Sequence, residues 1–143
     1  MKTLSLLLLI VSTSLCAQKP KVFTTEAGAI NGYDPVAYFK EGKPMKGNEN
    51  FSYSWNDAKW YFSSKENLDA FKSSPEKFAP QYGGYCAFGT SRGYKAQTSP
   101  DAFTILNEKL YLNYNLEVLK IWSKDKESFI KKADANWKEI EGK

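Results

Sequence analysis

Cys86 and the aromatic and glycine residues around it form the stretch whose side-chain types and spacing could carry chemistry. Pro80 to Tyr94 reads Pro-Gln-Tyr-Gly-Gly-Tyr-Cys-Ala-Phe-Gly-Thr-Ser-Arg-Gly-Tyr and holds three tyrosines and four of the nine glycines. Gly83 and Gly84 free the backbone for positive φ or for close approach of another group. Cys86, two residues on, is predicted to enter a short helix that Gly89 or Gly93 ends. A thiol in the first turn of a helix feels unpaired N–H groups and the positive end of the dipole, which favours thiolate. Tyr82 and Tyr85 are then candidate hydrogen-bond donors to the thiolate or a substrate. Arg92 is a candidate source of positive charge, with Lys95 beside it. The same residues have a structural reading. In it Gly-Gly makes a turn, Cys86 is a small buried hydrophobe, the tyrosines pack with their hydroxyls at the surface, and the two cations are ordinary surface charges.

The rest of the composition narrows the chemistry sharply. There is no histidine, which excludes Ser-His-Asp and Cys-His catalysis, histidine zinc sites and histidine-ligated haem. The two cysteines, Cys16 and Cys86, are too few for a thiolate cluster in one chain, and Met45 adds little soft-ligand capacity. A hard-cation site from Asn31, Asp34, Asp57 or Asp101 is conceivable, but their spacing does not match a calcium loop. No Gly-rich phosphate loop is present. The expectation is therefore a protein without metal or cofactor.

The first 17 residues read as an export signal, with Lys2 as the charged region, Leu4 to Val11 as the apolar region and small residues from Ser12 to Ala17. The apolar run is too short to span a bilayer, so no integral membrane protein is expected. Cleavage is expected near Ala17–Gln18, to a periplasmic or secreted form. Lipid attachment at Cys16 is the less favoured alternative, because Leu15 stands where a small residue is expected. Removing the segment takes the net charge from +4 to +3, since Lys2 is its one charged residue, and leaves Cys86 as the single cysteine. A lone cysteine in an oxidising compartment is shielded, reactive or paired between chains. From Leu116 to Lys143, seven lysines intersperse with six acids. That pattern is a solvated helix surface and not a nucleic-acid patch.

The elements that must position Cys86 follow from periodicity and caps. Residues 18–28 read as a flexible lead-in, with a short strand at Ala29 to Asn31. Asp34 is a good N-cap and Pro35 suits the first position of a helix to about Lys40. Lys43 to Asn50 reads as a loop. Phe51, Tyr53 and Trp55 alternate with serines as a strand whose partner is Lys59 to Phe62. Ser63 and Glu66 form a capping box for a helix bearing Leu68 and Phe71, and Ser74-Pro75 starts a single turn to Phe78. A second hairpin, Ala102 to Leu106 with Leu110 to Asn113, precedes a helix from Leu116 and a longer one after Asp125. The predicted fold is a small α+β domain over 29–141, with antiparallel β-hairpins packed against several short helices and a C-terminal helix.

Gly32-Tyr-Asp-Pro-Val-Ala-Tyr-Phe39, Trp60-Tyr-Phe-Ser-Ser64, Asn67 to Phe71, Pro75 to Phe78, Pro80-Gln-Tyr-Gly-Gly-Tyr-Cys-Ala87, Lys109-Leu-Tyr-Leu-Asn-Tyr-Asn115 and Ala133-Asp-Ala-Asn-Trp137 occur in this order. Together they resemble the YHS domain family, in its small exported single-domain branch. The resemblance implies no settled activity. Relatives attached to metal-transporting ATPases carry thiols where this chain has Ala37, Ser63 and Asn67, so their metal-handling chemistry loses its ligands here. Members of the exported branch resemble selenoproteins with selenocysteine at the position of Cys86, which implies a reactive thiol. Two functions are carried forward. One is thiol-based redox work at Cys86, with a small-molecule oxidant and an external thiol reductant as partners. The other is a non-enzymatic module that binds a small ligand or a protein in an aromatic pocket.

The export reading has a direct check. Mass spectrometry of the protein from its native host is expected to give an N-terminus near Gln18. An intact Met1 in cytoplasmic material defeats it.

Overall fold

The computed structural model describes residues 18–143. The export segment, its cleavage point and the Cys16 alternative lie outside the described residues. Three antiparallel hairpins alternate with short helices. The first pairs β1 (Thr24–Thr25) with β2 (Gly28–Ala29). The second pairs β3 (Asn48–Trp55) with β4 (Ala58–Phe62), and the third pairs β5 (Phe103–Leu106) with β6 (Lys109–Leu112). The helices are α1 (Pro35–Lys40), α2 (Lys65–Ser73), α3 (Pro75–Phe78), α4 (Ala87–Ser91), α5 (Leu116–Ser123) and α6 (Lys126–Ile140). The architecture is α+β, as the element order predicts. Among the described residues no helix is long and apolar enough to cross a membrane.

The two longer hairpins close through two-residue turns whose central residues both have positive φ, Asn56 and Asp57 in one and Asn107 and Glu108 in the other. That geometry matches the right-handed twist of the flanking strands. Asn and Asp tolerate it well, and Glu108 is the less usual occupant. Helix starts likewise follow side-chain caps. Asp34 accepts from the N–H groups of Val36 and Ala37, Asn115 from Val118 and Asp125 from Ser128.

Two apolar clusters form the interior. One gathers Trp60, Phe62 and Phe71 with Ile30, Val36, Tyr38, Leu110 and Leu112. The other gathers Tyr82, Ala87, Tyr111, Trp122 and Ala133. Strand β6 serves both, because successive side chains point to opposite faces. Leu110 and Leu112 enter the first cluster, and Tyr111 enters the second.

Asp34 ties the first cluster together. Its carboxylate is fully buried and accepts from five donors. Oδ1 takes the N–H groups of Val36 (2.8 Å) and Ala37 (3.2 Å). Oδ2 takes the Ser63 N–H (2.8 Å), the Ser63 hydroxyl (2.7 Å) and the Asn67 amide (2.8 Å). One side chain thus caps α1, anchors the end of β4 and fixes the first turns of α2.

Several local expectations are corrected here. Ser63 does not cap α2, because it is drawn to Asp34; Ser64 caps it instead, accepting from the Asn67 N–H. Strand β3 begins at Asn48, inside the stretch read as a loop, with an irregular register before Ser52. The expected strand at Ala29 to Asn31 is β2 followed by a 3-10 turn, Ile30–Gly32. The segment read as a flexible lead-in is docked. Val22 is buried in the first cluster, Phe23 N–H donates to the Gly83 carbonyl (2.8 Å) and Lys19 N–H to that of Lys143 (3.1 Å). Local composition carries no sign of these partners, which lie far away in sequence.

Asp34→Ala leaves five donor groups, at the start of α1, the end of β4 and the first turn of α2, without this acceptor. The substitution is expected to lower unfolding free energy by about 3–5 kcal/mol, measured by urea denaturation. A loss below about 1 kcal/mol contradicts this assignment.

Candidate functional site

Cys86 sits at the N-cap of α4, with φ −56° and ψ 120°, as its place after Gly83-Gly84 predicts. The turn before it is unusual. Tyr82 has φ 58° and ψ 34°, a left-handed conformation that a bulky residue seldom adopts, and Gly83 (φ 63°) and Gly84 (φ 85°) continue it. A Cβ at Gly83 would overlap the Lys21 carbonyl oxygen, so glycine is required there both by φ and by the docked N-terminal segment. The turn delivers Cys86 to a position where its own N–H donates to the Ala96 carbonyl (3.0 Å). Its carbonyl receives the Thr90 N–H and hydroxyl, both at 2.9 Å.

The thiol is 2% exposed. Its sulfur accepts from the Gly89 N–H (3.4 Å) and donates through S–H to Asn113 Oδ1 (3.5 Å). That oxygen also accepts from the Phe88 N–H (3.0 Å), which orients the amide. Asn113 is fully buried, and its Nδ2 is a buried donor without a protein partner. Asn113 belongs to the sequence stretch Lys109 to Asn115, but nothing in its spacing announces contact with Cys86.

The electrostatic balance at the sulfur runs against the sequence expectation. Burial pushes the Cys86 thiol up from its ordinary value and outweighs the opposing pull of the backbone N–H groups of Gly89, Tyr114 and Phe88. The helix-start donors are present, but α4 is a short helix and the sulfur is nearly sealed. The expected lowering of the thiol pKa is therefore corrected to a rise.

Of the other proposed site residues, none reaches the sulfur. The Tyr82 hydroxyl donates to Asp134 Oδ1 (2.9 Å), and burial followed by that hydrogen bond raises its pKa. The Tyr85 hydroxyl donates to the Pro20 carbonyl (2.7 Å), and burial raises its pKa also. The hydroxyls of the two tyrosines are thus held by Asp134 and by the docked N-terminal segment, not by Cys86. Arg92 is exposed, and its guanidinium lies 5.6 Å from the centre of the Phe88 ring. Lys95 is buried and donates to the carbonyls of Lys19 (3.3 Å), Pro20 (3.3 Å) and Glu141 (2.8 Å), between the rings of Tyr85 and Trp137. Burial pulls its ammonium below the ordinary lysine value.

What does meet the sulfur is an apolar pocket of about 260 Å³, lined by Cys86, Phe88, Tyr94, Ala96, Tyr114 and Val118. Tyr94 and Tyr114 are half-exposed at 52% and 45%, so the pocket opens outward between two phenol rings. The sequence reading expected an aromatic pocket among Tyr82, Tyr85, Phe88 and Tyr94; only Phe88 and Tyr94 line this cleft. It missed Tyr114 and Val118, which follow β6 at the start of α5.

Helix α6 holds this arrangement from behind. Asn136 Nδ2 donates to the carbonyls of Thr90 (3.0 Å) and Ser91 (3.1 Å) at the end of α4. Ala133 is buried in the second cluster with Ala87, small residues that allow α4 and α6 to approach closely.

The positions Ala37, Ser63 and Asn67, where metal-handling relatives would place thiols, do come together. They converge on Asp34, and Asn67 Nδ2 also lies 3.3 Å from Ser63 Oγ. The centre is filled by a hydrogen-bonded carboxylate. Among the described residues no group of three or more His, Cys, Asp or Glu side chains is placed to hold a metal ion. The acids considered for a hard cation do not gather, since Asp34 is enclosed and the Asn31 amide donates to the Thr98 carbonyl (3.0 Å).

The fold and the Asp34 centre define a small α+β domain built on the Asp-Pro turn and its partner hairpin. Residues 36–82 match the family model of the YHS domain. The match runs from α1 to the Tyr82 turn and stops short of Cys86. No curated protein and no solved structure gives a significant match.

The raised thiol pKa has a consequence for stability with a defined sign. The folded chain keeps the Cys86 proton at pH values where the unfolded chain has released it, so unfolding is favoured as pH rises beyond about 8.5. The unfolding free energy of the native chain is expected to fall more steeply between pH 8 and 10 than that of Cys86→Ala. Parallel pH profiles, or a steeper fall in the variant, refute the assignment.

Proposed function

We propose that the chain is a small-ligand-binding module whose pocket is the apolar cleft over Cys86. The observation that carries this reading is the cleft itself, with the thiol at its wall and aromatic side chains around it. No charged residue lines it, so the matching ligand is small, neutral and apolar or aromatic. A thiol kept protonated by burial suits such a pocket better than a resting thiolate. The YHS match is silent on this activity, because it ends before the cleft. Export, read from residues 1–17, fits with the proposal, since a lone shielded cysteine survives in an oxidising compartment.

Thiol-based redox chemistry is the second reading, favoured by one observation. The backbone N–H groups of Gly89, Phe88 and Tyr114 all act on the sulfur in the direction of thiolate. A hydroperoxide in the cleft could be attacked at its outer oxygen by the Cys86 thiolate. The O–O bond breaks, alcohol leaves after taking up a proton, and sulfenic acid remains. Two equivalents of an external thiol then restore Cys86, releasing water and a disulfide. Tyr82, Tyr85 and Arg92 have no step in this reading, because their functional groups are committed elsewhere.

Alkylation of Cys86 by iodoacetamide, followed against pH with and without indole, separates the readings. The binding module is expected to react slowly at pH 7 and faster above about 8.5, with indole giving saturable protection. Rapid alkylation at pH 7, together with peroxide consumption lost in Cys86→Ser, favours redox chemistry. Absence of protection by indole and of peroxide consumption removes both.

A further inference from the structure

Two stretches that the Cys86 cleft does not use, Pro80 to Gly83 and Asp134 to Trp137, meet on the wall of a larger groove of about 510 Å³. The tip of the β3–β4 hairpin forms the facing wall, through Trp55 and Asn56, and the docked segment at Lys21 and Val22 contributes as well. The groove runs along the seam between the two apolar clusters, since Val22 and Trp60 belong to one and Tyr82 and Trp137 to the other.

The lining has a specific chemical character. Trp55 and Trp137 are each half-buried, so part of each indole faces the groove. The left-handed turn holds Tyr82 against Trp137, with ring centres 6.1 Å apart, and directs its hydroxyl to Asp134. Around these rings stand three ammonium groups, from Lys21, Lys109 and Lys138, and three carboxylates, from Glu76, Asp134 and Glu141. Among the described residues the one ion pair is Lys65–Asp69, on the surface of α2. None of the six groups in the groove is in an ion pair, although Asp134 accepts from the Tyr82 hydroxyl and Glu141 lies near the Lys95 ammonium.

That balance discriminates between ligand classes. A polyanion such as a nucleic acid would meet three carboxylates, and a polycation would meet three ammonium groups. A neutral saccharide can hydrogen-bond to these groups through its hydroxyls but neutralises none of them, so its binding would not weaken with salt. A short peptide with one acidic and one basic side chain around an apolar centre can pair with both signs and rest its apolar body on the indoles. We infer that this groove binds a short mixed-charge peptide segment, as a site separate from the Cys86 cleft.

The probe is the tetrapeptide glutamate-leucine-leucine-lysine, acetylated and amidated so that only its side chains are charged. It is titrated into the purified chain, and the indole N–H signals are followed by NMR. Saturable shifts are expected for Trp55 and Trp137, with Trp122, fully buried in the second cluster, unmoved. Raising the salt from about 0.02 to 0.2 M is expected to weaken binding several-fold, because exposed charges are screened. Lys138→Glu is expected to weaken it roughly fivefold, with an unchanged circular dichroism spectrum. No saturable shift below about 10 mM peptide, which corresponds to hardly any binding free energy, overturns the inference. So does an equal response to an all-leucine peptide or to cellobiose, or binding indifferent to both salt and Lys138→Glu.

Discussion

A buried carboxylate with no cation beside it must find its stabilisation in hydrogen bonds, and Asp34 sets the geometry of half the domain for that reason. Taking the charge out of water costs several kcal/mol. Charge-assisted hydrogen bonds, each worth roughly 1.5–3 kcal/mol, offset this only if both oxygens are well served. Asp34 meets the condition with donors from α1, from Ser63 at the end of β4 and from Asn67 on α2. Moving any of these elements would leave the anion short of partners. The aromatic cluster around Phe71, with Trp60 and Phe62 at 5.2 and 5.1 Å, supplies the non-directional burial. The carboxylate supplies the direction.

The same knot fixes the chemistry at three neighbouring positions. Ala37, Ser63 and Asn67 occupy positions brought together by the fold, and in this chain they serve an oxygen anion instead of offering soft ligands. Ser63 and Asn67 are donors to Asp34, and Ala37 contributes its backbone N–H. A cluster position is defined by the backbone, and its chemistry by the atoms that fill it.

Around Cys86 the forces oppose one another. The N-cap position offers N–H groups to the sulfur, while burial withholds the water that a thiolate needs, and burial dominates. Asn113 accepts from both the thiol and the Phe88 N–H, yet its own Nδ2 is left without a protein partner. Such an orphan costs on the order of 1–3 kcal/mol unless a water or ligand meets it. A strained turn at Tyr82 and an unsatisfied amide at Asn113 thus flank the same cysteine, each maintained by the packing of α6 and β6 behind it.

Local chemistry was enough for the parts of the structure that depend on neighbours in sequence. Asp34-Pro35 could be read as a helix start, and alternation from Phe51 to Trp55 as a strand. Asn115 and Asp125 preceded amphipathic helices that they do cap, and Cys86 after Gly83-Gly84 stands at the start of α4. Each of these is decided within about four residues, where backbone sterics and capping act. Only the tertiary structure decided where the side chains point and what water they lose. Ser63 left its expected cap for Asp34, 29 residues away. Tyr82 and Tyr85 turned to Asp134 and Pro20, and Lys95 drew the N-terminal segment onto the domain. The thiol pKa went the same way, because desolvation belongs to the surrounding fold, whereas the helix-start N–H groups belong to the local chain.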